Sequence, residues 1–167
     1  MKSCPHLTTK NLYFRRLEKT DLSDLIILES DPEVMQNTSL KRALSRGEIE
    51  ERLHKSISQI AGKEPIGVWG VFSLKDHVFT GWSMLDHTGQ NYLEIGYMLP
   101  KHMWGKGYAT EIVRGLKNYA FKHLKEPGLC AITRKENTAS ISVLMKNGFV
   151  FESQLEDDLV KYQCENG

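Results

Sequence analysis

The chain has few of the residues that cross-link a protein, bind metals or span membranes. Its three cysteines, Cys4, Cys130 and Cys164, are too far apart for the ligand pairs of a zinc site, and no two histidines have a metal-site spacing. No metal is therefore predicted. The odd cysteine count, and the lack of an apolar signal-peptide stretch in residues 1–6, predict reduced thiols and a cytoplasmic location. Nowhere do eighteen apolar residues run together, so no membrane-spanning helix is predicted.

An excess of charge of one sign is also missing. The formal net charge is +1, with 26% charged and 40% apolar residues among 167. Because the chain has no excess of basic residues, its charge gives no reason to expect a nucleic-acid partner. It has no excess of acidic residues either, so a basic partner is not indicated. This length and composition predict one globular domain over residues 1–167, with a core of ordinary size and no membrane partner.

Hydrophobic spacing predicts a mixture of strands and helices. Leu12 to Leu17 has the pattern of a first strand, and Thr20-Asp21 that of an N-cap for the first helix. Ser45 and Glu48 form a capping box before a second helix. The apolar face of this second helix consists of Ile49, Leu53, Ile57 and Ile60. Further strands are predicted at 66–74, 78–85, 92–99, 129–133, 149–155 and 159–164.

Two more helices separate the later strands. One begins after Gly107, and the other covers Asn137 to Lys146. The apolar face of the first of these consists of Ala109, Ile112, Val113, Leu116 and Ala120. The resulting order is β, α, α, three strands, α, β, α, β, β. Its hairpins predict an α/β (α+β) fold with a mostly antiparallel central sheet flanked by helices, and a parallel portion around a glycine-rich crossover.

The glycine-rich segment Trp104-Gly105-Lys106-Gly107 carries the strongest chemical signal. A strand ends before it and a helix begins after it, so unpaired backbone N–H groups and the positive end of the helix dipole converge on one point. Such a corner binds a phosphate or pyrophosphate. The spacing does not fit a P-loop, and Thr110 stands where a dinucleotide fingerprint has its third glycine. On this loop alone, a plain glycine-rich turn is an equal alternative.

The rest of the chain favours phosphate binding, because the segment resembles motif A of the GNAT superfamily of acetyltransferases. Gly107 and Ala109 occupy the two small positions of that motif, although Trp104 stands where it has Gln or Arg. The run Trp-Gly-Lys-Gly-Tyr-Ala-Thr-Glu is similar to the branch of ribosomal-protein N-terminal acetyltransferases (RimJ/RimL-like). Other similarities follow in the expected order: Thr9-x-Asn11-Leu12-x-x-Arg15, Asp21, Asp31-Pro32, Glu94 to Tyr97, Asn137-x-x-Ser140 and Lys146-x-Gly148-Phe149.

The resemblance implies a GNAT-like fold and a cosubstrate site. In this family the fourth and fifth strands splay apart, and the pantetheine arm of acetyl-CoA pairs with the fourth strand, here at Met98 and Leu99. Backbone amides between Gly105 and Thr110 would take the pyrophosphate. Lys106 would add a positive charge or be solvated, and Asn137 would contact pantetheine, cap a helix, or both. The implied CoA-binding residues are Met98, Leu99, Trp104, Gly105, Lys106, Gly107, Tyr108, Ala109, Thr110 and Asn137.

The resemblance also implies N-acetyl transfer from acetyl-CoA to a primary amine by direct attack, with no covalent enzyme intermediate. Glu94 is the candidate base, and a cross-strand ion pair is its alternative role. Many family members protonate the leaving sulfur with a Tyr at the position of Leu144. Its replacement leaves Ser140 as the nearest hydroxyl, and a local hydrogen bond in the helix is the alternative role for Ser140.

Two other functions and the acceptor stay open. A noncatalytic acyl-CoA-binding domain on the same fold is one alternative, and nucleotide binding without acyl chemistry is another. The acceptor is either a protein N-terminus or a small-molecule amine, and a homodimer is left open. Acidic residues in the early helices would suit a cationic acceptor or simply face solvent. These residues are Glu29, Asp31, Glu33 and Glu48.

Overall fold

Seven strands form one sheet in the order β1-β2-β3-β4-β5-β7-β6. The structure, a computed structural model, describes residues 7–59 and 66–167, so Cys4 and Ile60 lie outside the described residues. The strands are β1 (Leu12–Arg16), β2 (Gly67–Ser73), β3 (Phe79–Asp86), β4 (Leu93–Met98), β5 (Gly128–Arg134), β6 (Val150–Gln154) and β7 (Leu159–Glu165). Only the β4–β5 pair is parallel, which confirms the predicted mixed sheet.

Among the described residues, five α-helices flank the sheet. They are α1 (Leu22–Glu29), α2 (Pro32–Met35), α3 (Arg46–Ser58), α4 (Tyr108–Tyr119) and α5 (Thr138–Lys146). The observed order of strands and helices agrees with the predicted order except for α2, which was not predicted. α2 is a separate short helix, capped by the Asp31 side chain, which accepts a hydrogen bond from the Glu33 amide. The capping box of Ser45 and Glu48 is confirmed at the start of α3. No helix among the described residues is long and apolar enough to cross a membrane.

The two faces of the sheet carry separate cores. On one face, α4 and α5 pack against β1 to β5 and β7, and Ile112, Val113 and Leu116 of α4 are fully buried there. On the other face, α1, α2 and α3 cover only the half of the sheet near β1 to β3. The side chains of β4 therefore alternate between two different environments. Ile95 and Tyr97 face α4 and α5, whereas Met98 faces the early helices.

Three hydrogen bonds explain the roles of Thr9 and Asn11 near the N-terminal end of the described chain. The carboxylate of Glu111, in the first turn of α4, accepts hydrogen bonds from Thr9 and from the backbone and side chain of Asn11, the last two at 2.7 and 2.9 Å. This carboxylate thus ties β1 to α4. The role of Thr9 and Asn11 is therefore structural.

The predicted N-cap of the first helix is confirmed in position at Asp21, although its side chain bonds elsewhere. Asp21 occupies the N-cap position, but its side chain makes no cap hydrogen bond there. It is 3% exposed, and its two oxygens each accept from the Arg15 guanidinium at 2.9 Å. The Glu18 amide donates to the same carboxylate at 2.7 Å. A two-pronged, charge-assisted pair is stronger than a neutral cap, so the tertiary contact prevails.

We predict that Asp21→Ala lowers the free energy of unfolding by about 2–3 kcal/mol, because it leaves the Arg15 guanidinium without its partner. Urea denaturation measures the loss. The matched control is Glu50→Ala, which breaks the exposed Arg46–Glu50 pair of α3. That change should cost no more than about 0.5 kcal/mol. Equal losses in the two variants would contradict a special role for the Arg15–Asp21 pair.

Candidate active site

A gap opens between β4 and β5 in the middle of the sheet. The two strands pair only at Leu93–Leu129 and Glu94–Cys130. Beyond these residues β4 stays with β3, and β5 stays with β7 as far as Arg134. The diverging strands border a cavity of about 820 Å³, which reaches the start of α4 on one side and the start of α5 on the other.

Unpaired backbone groups of β4 face this gap. A Cβ atom on Gly81 of β3 would collide with the carbonyl oxygen of Met98, so that carbonyl points toward β3. Because successive residues of a strand turn their backbone groups to opposite sides, those of Tyr97 and Leu99 are directed toward the gap. The Leu99 carbonyl accepts a hydrogen bond from the Trp104 indole at 2.9 Å. The backbone groups available to a ligand in the gap are therefore expected to be those of Tyr97 and Leu99, and not those of Met98.

The glycine-rich corner closes one end of the gap. Gly105 and Gly107 have φ angles of 72° and 82°, which non-glycine residues rarely adopt. A Cβ atom at either position would meet nothing within 4 Å, so the space in front of both is open. Gly107 is the N-cap of α4 and provides no side-chain cap. The first amides of α4 thus have no intrahelical partner, and they fit an anionic group such as a pyrophosphate.

The start of α5 borders the opposite side of the gap. The Asn137 side chain caps α5 by accepting from the Ser140 amide at 3.2 Å, which confirms its predicted capping role. Its amide nitrogen is left for another partner. The Tyr97 hydroxyl donates to the Ser140 hydroxyl at 3.0 Å. Burial raises the pKa of Tyr97, so its phenol stays protonated near neutral pH. Leu144 is 1% exposed and apolar, so it supplies no proton.

Glu94 lies at the base of the gap, where the paired part of β4 ends. Burial raises the pKa of its carboxyl above the ordinary range, while a hydrogen bond from Thr88 and the charge of Lys161 act in the opposite direction. Cys130 is its partner on β5 and is fully buried. Burial, with the nearby Glu94 carboxylate, raises the pKa of this thiol to about 11. It is therefore protonated near neutral pH and unsuited to nucleophilic attack.

Comparison with known proteins assigns the family. The family model described as Acetyltransferase (GNAT) domain matches residues 11–150. A probable N-acetyltransferase of Bacillus subtilis, YjcK, is 32% identical and the alignment covers 86% of this chain and 82% of that one. An uncharacterized N-acetyltransferase of Bacillus licheniformis, p20, is 29% identical over 90% of this chain and 85% of its own. The chain belongs to the GNAT acetyltransferase family. It is an N-acetyltransferase that moves an acetyl group from acetyl-CoA to an amine.

Solved structures with low sequence identity share the GNAT fold. A GNAT acetyltransferase from Bacillus anthracis superimposes with a TM-score of 0.84 at 21% identity, covering 96% of this chain and 98% of that one. A spermidine N-acetyltransferase from Vibrio cholerae, in complex with CoA and spermine, has a TM-score of 0.78 at 20% identity and covers 93% and 95%. RimL, a ribosomal L7/L12 acetyltransferase in complex with CoA, has a TM-score of 0.76 at 16% identity and covers 94% and 95%.

The structure brings most of the predicted site residues of this GNAT protein to one cavity. The residues that border it are Glu94, Met98, Leu99, Trp104, Gly105, Gly107, Tyr108, Ala109, Thr110, Asn137 and Ser140. Lys106 is exposed and does not border the cavity. Its predicted contribution to pyrophosphate binding remains a prediction, as do the roles of the other residues.

Two contacts at the site were not predicted from the sequence. They are the hydrogen bond from the Tyr97 hydroxyl to Ser140 and the hydrogen bond from the Trp104 indole to the Leu99 carbonyl. Tyr97 was part of a recognised strand motif, and the strand alternation places it on the face opposite Glu94. That alternation indicates which residues share its face of the sheet. It did not signal the contact with Ser140, because 43 residues separate the two in sequence.

We predict that Gly107→Glu lowers CoA affinity by about 100-fold or more, because a carboxylate would occupy the space in front of the α4 amides and repel phosphate. Titration calorimetry with CoA measures the change. Gly89→Glu is the control, since Gly89 also has a positive φ, of 87°, and open space before it, but lies outside the cavity. CoA affinity that is unchanged in a folded Gly107→Glu variant would refute the site.

Proposed function

We propose that this single-domain GNAT protein is a RimJ/RimL-like, cytoplasmic N-acetyltransferase that holds acetyl-CoA across the β4–β5 gap and acetylates a primary amine by direct attack. The observation that carries the proposal is the continuity of the gap with the glycine corner of α4. The structural similarity to RimL supports the assignment to the RimJ/RimL-like branch. RimL is a protein acetyltransferase and the Vibrio cholerae neighbour acetylates spermidine, so the acceptor is open between a protein N-terminus and a small amine.

In this proposal, three groups of residues bind acetyl-CoA, which supplies an acetyl group activated as a thioester. The first amides of α4, from Tyr108 to Thr110, hold the pyrophosphate. The gap-facing backbone of Tyr97 and Leu99 pairs with the pantetheine arm, and the free amide nitrogen of Asn137 adds a donor. The Leu99 amide lies where β4 ends and polarises the acetyl carbonyl, which stabilises negative charge on its oxygen during attack.

Glu94 is proposed to remove a proton from the acceptor amine through water. Only a neutral amine attacks, and a lysine-type amine has a pKa of about 10.4. Glu94 and Met98 are four residues apart, which is about 13 Å along a strand, so more than one water is needed. A raised carboxyl pKa suits this role, because it makes the carboxylate a stronger base near neutral pH.

Ser140 is proposed to donate a proton to the leaving sulfur, and Tyr97 to orient the Ser140 hydroxyl. When the new C–N bond forms and the C–S bond breaks, the amine gives a proton to Glu94 through water and the sulfur takes one from Ser140, which regains a proton from solvent before the next turnover. The Ser140 oxygen already accepts from Tyr97, which leaves its own hydrogen directed elsewhere. The buried phenol keeps its proton and so keeps this orientation.

Thiol release measures the proposed activity directly. The protein is incubated with acetyl-CoA and a panel of amines that includes spermidine, benzylamine and a tripeptide with a free N-terminus. Mass spectrometry identifies the acetylated product. We expect amine-dependent release of CoA. Tight CoA binding without transfer to any amine would contradict the proposed acceptor class, and no CoA binding would contradict the whole proposal.

For Glu94→Gln we predict unchanged CoA affinity and a fall in kcat/KM of about 100-fold at pH 7. The wild-type rate should rise with pH through the raised pKa of Glu94, because the base works only when ionised. The Gln variant should lack that rise and recover part of its rate at high pH, where more amine is neutral. Wild-type turnover by the Gln variant at pH 7 would show that Glu94 is not the base.

For the leaving group, we predict that Ser140→Ala lowers kcat about 100-fold and Tyr97→Phe about 10-fold, with CoA affinity within twofold of wild type. The double variant should be no slower than Ser140→Ala alone, because Tyr97 acts only through Ser140. The control is Tyr92→Phe, which removes a hydroxyl bound to Glu165 outside the cavity. Additive losses in the double variant would contradict the proposed pair.

A further inference from the structure

A second cavity, of about 380 Å³, adjoins the gap on the face of the early helices. It lies between α1 and α3 above β2 and β3. Trp82 and Met84 of β3 border both cavities. Trp82 is the cross-strand partner of Met98, and Met84 is that of Gly96. The second cavity therefore begins one strand away from the proposed site of amine attack.

Three of the four acids that the sequence suggested for a cationic acceptor have structural partners. The Asp31 carboxylate caps α2. Glu33 forms an ion pair with Lys101 at 2.7 Å. Glu48 completes the capping box of α3 and pairs with Arg42. These three acids are therefore accounted for, and only Glu29 borders the second cavity.

The Glu29 carboxylate is buried, and its ion pair with Arg52 is long. The residue is 4% exposed, and the nearest cation, the Arg52 guanidinium, is 3.8 Å from its carboxylate. The Trp82 indole lies beside it, yet the buried indole N–H has no hydrogen-bond acceptor in good geometry among the described residues. The Glu29 carboxylate can therefore accept hydrogen bonds from a ligand, because its nearest cation lies beyond hydrogen-bond distance.

The positive charges around the second cavity do not cancel this preference. Two Arg16 nitrogens donate to the carbonyls of Ile66 and Val68, and the guanidinium lies over Trp69, whereas the Arg16 Nε has no hydrogen-bond partner among the described residues. Arg52 and Lys55 are exposed at the rim, where water and salt screen their charges. Glu29 is the charged group with the least contact with solvent in this cavity, whose lining also includes the carboxylate of Asp86 on β3.

We propose that the acceptor is a small amine that carries a second positively charged nitrogen, and that Glu29 binds this nitrogen while the first nitrogen reaches the gap past Trp82 and Met84. This inference rests on the proposed acetyl transfer. When the ligand binds, the exposed Arg52 side chain turns to solvent and the ammonium takes its place on the carboxylate. The second ammonium then gains a charge-assisted hydrogen bond in a site shielded from water.

Three acceptors of equal length test the charge preference: 1,5-diaminopentane, pentylamine and 5-aminopentanoate. Thiol release from acetyl-CoA gives kcat/KM, and calorimetry in the presence of CoA gives binding of each amine. For the wild type, we expect the diamine to exceed pentylamine by at least about 10-fold and the zwitterion to be the poorest. Glu29→Gln should remove the advantage of the diamine, and it should leave kcat/KM for pentylamine within twofold of the wild-type value. Glu29→Asp, which keeps the charge, should retain part of the preference.

Glu50→Gln is the control, because it removes the same charge from an exposed position on α3. It should leave all three acceptors unchanged. Any of four results would overturn the inference. The wild type could show equal rates for the three acceptors, prefer the zwitterion, or fail to bind or react with the diamine. The fourth result is an equal loss of rate for every acceptor in Glu29→Gln. If the wild type releases thiol without a charge preference, this inference alone fails. If it neither binds CoA nor releases thiol, the proposed function fails.

Discussion

The parting of β4 from β5 after the Glu94–Cys130 pair is the constraint on which the rest of the site depends. Backbone groups in the middle of a sheet are normally paired, and leaving them unpaired away from water costs free energy. Here one gap-facing carbonyl, that of Leu99, is satisfied by the Trp104 indole. The others are available to an extended ligand that can act as a missing strand. The gap thus selects a ligand with an amide-bearing arm, which is what pantetheine provides.

The gap keeps its shape because each bordering strand is fixed on its other edge. β4 pairs with β3 up to Met98, and Gly81 allows the two backbones to approach closely at that point. β5 pairs with β7 along its whole length. Below the gap, α4 packs on both halves of the sheet, and the Glu111 carboxylate ties its first turn to β1. The amides that face the proposed pyrophosphate are therefore held by the core and need not be ordered by the ligand.

The parts of the fold that depend on local physics could be predicted from the sequence. The capping box of Ser45 and the cap by Asn137 are decided within a single turn of helix, and both were identified correctly. Contacts between distant segments could not be predicted in this way. Nothing in the spacing of either residue shows that the Tyr97 hydroxyl reaches Ser140. At Asp21 the predicted N-cap position is right, but the pairing of its side chain with Arg15 could not be read from local spacing. Position along the chain therefore identified residues that border one cavity, but not the partners of their side chains.

The alternation of β4 also explains why this reaction needs a broken sheet. Glu94 and Met98 belong to the face of the early helices, where Glu29 and the second cavity lie. Tyr97 belongs to the face of α4 and α5, where it meets Ser140. The proposed base and the proposed proton donor are thus on opposite faces of one sheet, and an unbroken sheet would separate them completely. At the gap, an amine from one face can meet a thioester from the other, with its proton leaving on the first face and the sulfur gaining a proton on the second. In the proposed mechanism, the base and the proton donor therefore act from opposite faces of the sheet.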